Sequence, residues 1–167
     1  MKLIVAVDEK WGIGKKNGLL FSLKGDMRYF REKTLDKVVV MGYNTLLSFP
    51  GGKPLKNRVN IVLAPDGVER DDCTICHTLE ETFNEIEKYP TDDVFIIGGA
   101  MFYRTMYPYC KEAFITHVYK DGEAEVFFDD LSVKPNWERE DISDVLTEDG
   151  ISYRFTKYVN DSPEKFK

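Results

Sequence analysis

VFIIGGAMFY, residues 94–103, is four apolar residues, two glycines and then a helix-forming run. A short, uninterrupted apolar run of this kind reads as a strand covered on both faces, as in a parallel sheet. VVVMGYNT (38–45) repeats the pattern with one glycine. Working outward, KLIVAVD (2–8), RVNIVLA (58–64), CTICH (73–77) and EAFITHVYK (112–120) are further strands. Between them fall predicted helices. One runs from Leu23 to Thr34 with Ser22 as its N-cap, and NTLLSF forms another. A third opens on the capping-box spacing Thr78-Leu79-Glu80-Glu81, and AMFYRTMY stops at Pro108. WEREDISDVL and ISYRFTKYV flank Glu-Asp-Gly and read as an antiparallel hairpin. The expected fold class is α/β: a mainly parallel, twisted sheet of about eight strands, helices on both faces and an antiparallel C-terminal hairpin.

The chain has 167 residues, which suits one domain; residues 1–160 are expected to form it, with 161–167 as a loose tail. A net charge of −6 argues against broad nucleic-acid contact. No apolar run is long enough to cross a membrane, and MKLIVAVDEKWG reads as a first strand rather than a signal peptide. Three irregularly spaced cysteines, including CTIC without a second ligand pair, read as packing residues in a reducing cytoplasm, with no metal site. The absence of sustained heptads makes a monomer the default.

In open α/β sheets, ligands bind beyond the carboxyl ends of the strands. Gly42 with Asn44 and Thr45, and Gly98 with Gly99, stand at such ends. Glycine lets the backbone approach a ligand, and helix starts offer N–H groups suited to phosphate. A pair of these junctions fits the pyrophosphate of a dinucleotide, although a tight turn explains either one alone. GxGxxG is absent, and WGIGKKNG (11–18) reads as a mobile loop. A further oddity is Asp26, a carboxylate on the same helical face as Met27, Phe30 and Thr34.

In order and spacing, IVAVDEKWGIGKKNG, DMRYFREKT, VVVMGYNT, KPLKNRVNIVL, VFIIGGAMFY and FITHV together resemble dihydrofolate reductase over nearly the whole chain. The resemblance implies NADPH-dependent reduction of 7,8-dihydrofolate, with hydride going to C6 and a water-delivered proton to N5. It makes Asp26 the active-site carboxylate that anchors the pterin, with Thr116 orienting it and Leu19 and Phe21 beside the proton path. Val5, Ala6, Met27, Phe30, Phe49 and Leu55 become substrate walls, and Arg58 the partner of the substrate's carboxylate. Cofactor contacts fall on Ala6, Ile13, Asn17, Gly42, Tyr43, Asn44, Thr45, Leu63, Ala64, His77, Ile97, Gly98, Gly99, Ala100, Met101, Phe102 and Tyr103. A cis peptide is implied at Gly98-Gly99. Antifolate inhibitors are implied as ligands.

Two departures stand out. Leu20-Phe21 replaces the family's usual Pro-Trp and so lacks an indole donor. Tyr43, Ala64, Pro65 and Met101 stand where the family often places groups that meet the cofactor's 2′-phosphate, so NADH becomes a possible reductant. Two rival readings share the cofactor junctions: a pyrimidine or pterin reductase of the same fold (riboflavin-pathway type), and a non-catalytic pterin- or nucleotide-binding derivative.

Overall fold

The computed structural model describes residues 1–16 and 18–166. Its strands are β1 (Lys2–Val7), β2 (Gly12–Gly14), β3 (Val38–Gly42), β4 (Val59–Leu63), β5 (Thr74–Cys76), β6 (Val94–Gly98), β7 (Glu112–Val118), β8 (Val126–Phe127), β9 (Trp137–Asp141), β10 (Leu146–Glu148) and β11 (Ile151–Asn160). Its helices are α1 (Lys24–Thr34), α2 (Tyr43–Ser48), α3 (Leu79–Ile86) and α4 (Ala100–Met106).

Strand alternation divides the core in two. Val38 and Val40 on β3 face one side, with Phe83 and Ile86 of α3 and Phe102 and Met106 of α4. Val39 and Met41 face the other, with Leu46 of α2 and with Tyr29 and Phe30 of α1 packed against them. All four β3 residues are buried, which is why this strand carries no polar positions. The main sheet runs β10-β11-β7-β1-β6-β3-β4-β5, with β9 also paired to β11. Pairs among β7, β1, β6, β3, β4 and β5 are parallel, and β11 runs antiparallel to β7, β9 and β10.

Four local expectations change. WGIGKKNG is not a plain loop: Gly12–Gly14 forms β2 and pairs with β8. Asp8 secures that turn, its Oδ1 accepting from the N–H groups of Lys10 (2.8 Å) and Gly12 (2.7 Å) and its Oδ2 from Gly122 N–H (3.0 Å). Ser22 does not cap α1; Leu23 holds the cap position, without a side-chain cap bond. The hairpin partner of β11 is split between β10 and β9. In the tail, expected to be loose, residues 161–165 are exposed, but two contacts tether it: Glu164 N–H donates to Pro108 C=O, and Phe166 stacks on Phe83 with ring centroids 4.1 Å apart.

The CTIC cysteines do not form a disulfide. Cys76 is buried, Cys73 is half-buried, and both are free thiols, as is Cys110.

Candidate active site

Asp26 lies in the first turn of α1. It shares a cleft with Ala6, Ile13, Leu19, Leu20, Phe21, Leu23, Met27 and Val118. The Thr116 hydroxyl donates to Asp26 Oδ1 at 2.7 Å, and no other hydrogen bond reaches this carboxylate among the described residues. Thr116 stands opposite Ala6 across the parallel β1–β7 pair, so the strand ladder fixes the hydroxyl beside the cleft wall. Burial pushes the Asp26 carboxyl upward from its ordinary pKa; the Thr116 hydroxyl opposes the rise and the Glu148 charge adds to it. The site therefore holds a mostly dry carboxylate with one strong donor and an apolar surround.

Glu148 gave no signal in the sequence. Its Oε2 accepts from Lys24 N–H at 2.6 Å and its Oε1 from Gly25 N–H at 3.0 Å. These groups open α1 and are the donors that a helix start leaves unpaired. Their partner lies more than 120 residues away in the chain, beyond the reach of any local pattern.

α1 also acts as a ruler. From Asp26 to Thr34 it rises by about 12 Å. At its far end Arg58 Nε donates to Thr34 Oγ1 at 3.2 Å, and Arg58 Nη1 donates to Lys56 C=O at 2.8 Å. No carboxylate pairs with Arg58 among the described residues. Phe30, Phe49 and Leu55 are half-buried against the core on the α1–α2 side of the sheet, while Met27 is exposed. The arrangement suits a ligand with a flat head, an apolar middle and an anionic tail.

The two glycine junctions meet. β3 and β6 are neighbours, with Met41 opposite Gly98. A Cβ on Gly98 would lie 2.6 Å from both Thr45 Oγ1 and Thr45 Cγ2; one on Gly99 would lie 3.5 Å from Gly42 Cα. The peptide between the paired glycines is trans, as are all peptides among the described residues, contrary to the expected cis bond. Gly99 makes the turn instead, at φ 98, in the left-handed region that glycine adopts without penalty.

The remaining positions divide in two. Leu63 and His77 follow the same sheet rim on β4 and β5, beside Ala64. His77 Nδ1 lies 3.1 Å from Pro65 C=O and 3.3 Å from Ala64 C=O, and its Nε2 lies 3.5 Å from Glu69. Desolvation is the largest single influence on it and lowers its pKa, but the two carbonyls and Glu69 together outweigh this and leave it raised. Tyr43, Asn44 and Thr45 begin α2; Ala100, Met101 and Phe102 begin α4, with Met101 strongly exposed. Tyr103 is buried and donates from its hydroxyl to Ile4 C=O at 2.7 Å, while Ile97 lies on the opposite side of the sheet. Val5 is half-buried on β1. Asn17 lies outside the described residues. Phe21 packs against Leu23, Val118 and Tyr153. A wider depression at Glu69–Asp72 is open and acidic, and Arg70 within it is already paired with Asp72.

A sequence model of the family described as dihydrofolate reductase matches residues 1–160. The chain is 33% identical to dihydrofolate reductase of Schistosoma mansoni, across 95% of each sequence. It is 34% identical to dihydrofolate reductase of Bacillus subtilis, across 82% of this chain and 79% of that one. Its backbone superposes on dihydrofolate reductase from Enterococcus faecalis complexed with NADP(H) and RAB-propyl with a TM-score of 0.83, covering 96% of each chain at 29% identity.

Proposed function

The chain belongs to the dihydrofolate reductase family, and from that premise we propose its reaction and the residues that run it. It reduces 7,8-dihydrofolate to 5,6,7,8-tetrahydrofolate, with NADPH as reductant. The observation that carries the assignment of residues is Asp26: a carboxylate held by Thr116 in an apolar cleft that Ala6 borders near the end of β1, the strand paired with glycine-ended β6.

The junctions fit a dinucleotide. A Cβ at Gly98 would fill the space beside Thr45, so backbone and ligand can approach there only if the residue is glycine. Gly42, Tyr43, Asn44, Thr45 and Gly98 to Tyr103 would hold the pyrophosphate and nicotinamide halves, with Leu63, Ala64 and His77 toward the adenosine. When bound, reduced nicotinamide supplies the hydride. Asp26 accepts hydrogen bonds from the pterin 2-amino group and N3 through its two oxygens, which orients the ring. Thr116 keeps those oxygens turned toward the cleft. Leu19 and Phe21 border the entry of the water that carries the proton to N5. Arg58, without an internal carboxylate, binds the substrate's carboxylate. Met27, Phe30, Phe49 and Leu55, with Val5 and Ala6, enclose the apolar middle.

No basic side chain occupies positions 43, 64, 65 or 101, and Glu69 competes for His77. Discrimination between NADPH and NADH is therefore weakened, since charge-assisted bonds to phosphate are the strong ones. We also assign one domain over residues 1–160, a monomer, and the cytoplasm, where three free thiols persist. No helix among the described residues is long and apolar enough to cross a membrane.

The deciding assay mixes protein, dihydrofolate and reduced cofactor and follows loss of nicotinamide absorbance. Turnover yielding tetrahydrofolate is expected. Tight binding without turnover would point to a binding protein, and turnover of a pyrimidine substrate alone would point to the riboflavin-type reductase. With the two cofactors compared, a preference for NADPH of roughly several hundredfold would overturn the weakened discrimination.

A further inference from the structure

We propose that Glu148 is a positioning residue for this reaction: its carboxylate clasps the first turn of α1 and sets where Asp26 stands in the cleft. The role rests on the reading of Asp26 as the pterin anchor.

The clasp has two prongs, Oε2 on Lys24 N–H and Oε1 on Gly25 N–H. Leu23, at the cap position, has no acceptor side chain, so nothing local replaces it. The seat is close. A Cβ on Gly25 would run into the Tyr153 hydroxyl and would lie 3.4 Å from Glu148 Oε1, so any side chain here must displace Tyr153 where the helix meets the hairpin. Asp26 is the next residue, and a shift of this turn shifts its carboxylate against Thr116. β7 pairs with β11, and β11 with β10. One antiparallel unit therefore holds the carboxylate through Thr116 and the backbone beside it through Glu148.

Seven groups define the electrostatics. Thr116 on β7 touches Asp26 directly. Tyr103 of α4, Tyr29 of α1 and Tyr153 of β11 each feel its charge. Lys24 and Arg28 of α1 act on Glu148, whose own pKa is lowered first by the Gly25 and Lys24 N–H groups. Glu148 is the one carboxylate among these groups that raises Asp26. Removing its charge should lower Asp26 toward its ordinary value, and uncovering the positive helix start acts in the same direction.

The test uses Glu148→Ala and Glu148→Gln in the full chain. Glu148→Ala is expected to raise KM for dihydrofolate about three- to tenfold, on the scale of a lost helix cap, and to leave KM for NADPH alone. Glu148→Gln keeps one acceptor oxygen and should recover part of that KM. In both variants the pH midpoint of hydride transfer should fall. Carboxyl ¹³C titration of Asp26 in the ligand-free protein reads the same shift without turnover. A fall in melting temperature with wild-type KM, midpoint and titration would mean a merely structural cap and would overturn the proposal. Should Glu148→Ala fail to fold, an unmoved titration in Glu148→Gln overturns it equally. Failure of the functional reading would show separately, as absent turnover by wild type beside an intact NMR shift.

Discussion

The glycine junctions and the Asp26 cleft are built in opposite ways. At the junctions, each strand, glycine and helix start are consecutive in sequence, as in VVVMGYNT and VFIIGGAMFY, and the two units meet because β3 and β6 pair. In the cleft, the carboxylate from α1 is met by Thr116, 90 residues on, and the helix-start N–H groups just before it by Glu148, more than 120 residues on. The half we propose for the cofactor's phosphates is thus prefabricated locally, and the half we propose for substrate and proton exists only once the antiparallel unit has closed. Changes at the junctions should act on cofactor binding. Changes in the cleft should act on substrate binding and pH dependence.

The sharpest way to break that division is Asp26→Asn. Its turnover at neutral pH should fall about a hundredfold or more, within the range for losing a group that assists proton transfer. The same variant should melt higher at neutral pH. The native pKa of Asp26 is raised, so ionising it works against the fold. That penalty is absent below the ordinary aspartate pKa and grows as pH rises through the raised value. Calorimetry across pH should therefore show a gain that vanishes in acid; an equal gain at every pH would contradict a raised Asp26.

Next in size is Gly98→Ala, whose methyl group collides with Thr45. KM for NADPH should rise by about tenfold or more, on the scale of an overpacked site, with KM for dihydrofolate nearly constant. A loss shared equally by both ligands would erase the distinction between the two regions. Thr116→Val removes the single donor to Asp26. Dihydrofolate should bind about tenfold more weakly, as for a hydrogen bond to a charged group, and the pH midpoint should move up, opposite to the Glu148 variants. The smallest effect belongs to Phe21→Trp. It restores an indole donor beside the cleft and should raise turnover by about threefold at most, the scale of one better-ordered water.

The same contrast governs what could be read from the sequence. The junctions were legible because apolar runs and glycines are short-range signals. Asp26 was legible as a misfit, an acid on an apolar helical face. Its partner Thr116 entered only through family resemblance, and Glu148 not at all, since nothing near the Glu-Asp-Gly turn reports a helix seated above it. Serine is a good local acceptor, so local sequence points to Ser22 as the cap of α1; the hairpin's carboxylate does that work instead. The tail looked loose because its polar composition hides Phe166, whose partners Phe83 and Tyr109 lie elsewhere in the fold. Asp8 followed a strand like any surface acid, yet it gathers three N–H groups from two loops.

The split partner of β11 has a consequence beyond catalysis. At one margin of the sheet β5 is three residues long; at the other, β10 is three and β9 five, and between them the N–H groups of Ile142 and Ser143 both turn inward onto Phe155 C=O. Neither border offers a long, straight row of unsatisfied amides for another molecule to zip onto. Concentrated solutions of this protein should resist growth into fibrils, with the stub-ended margins acting as the safeguard.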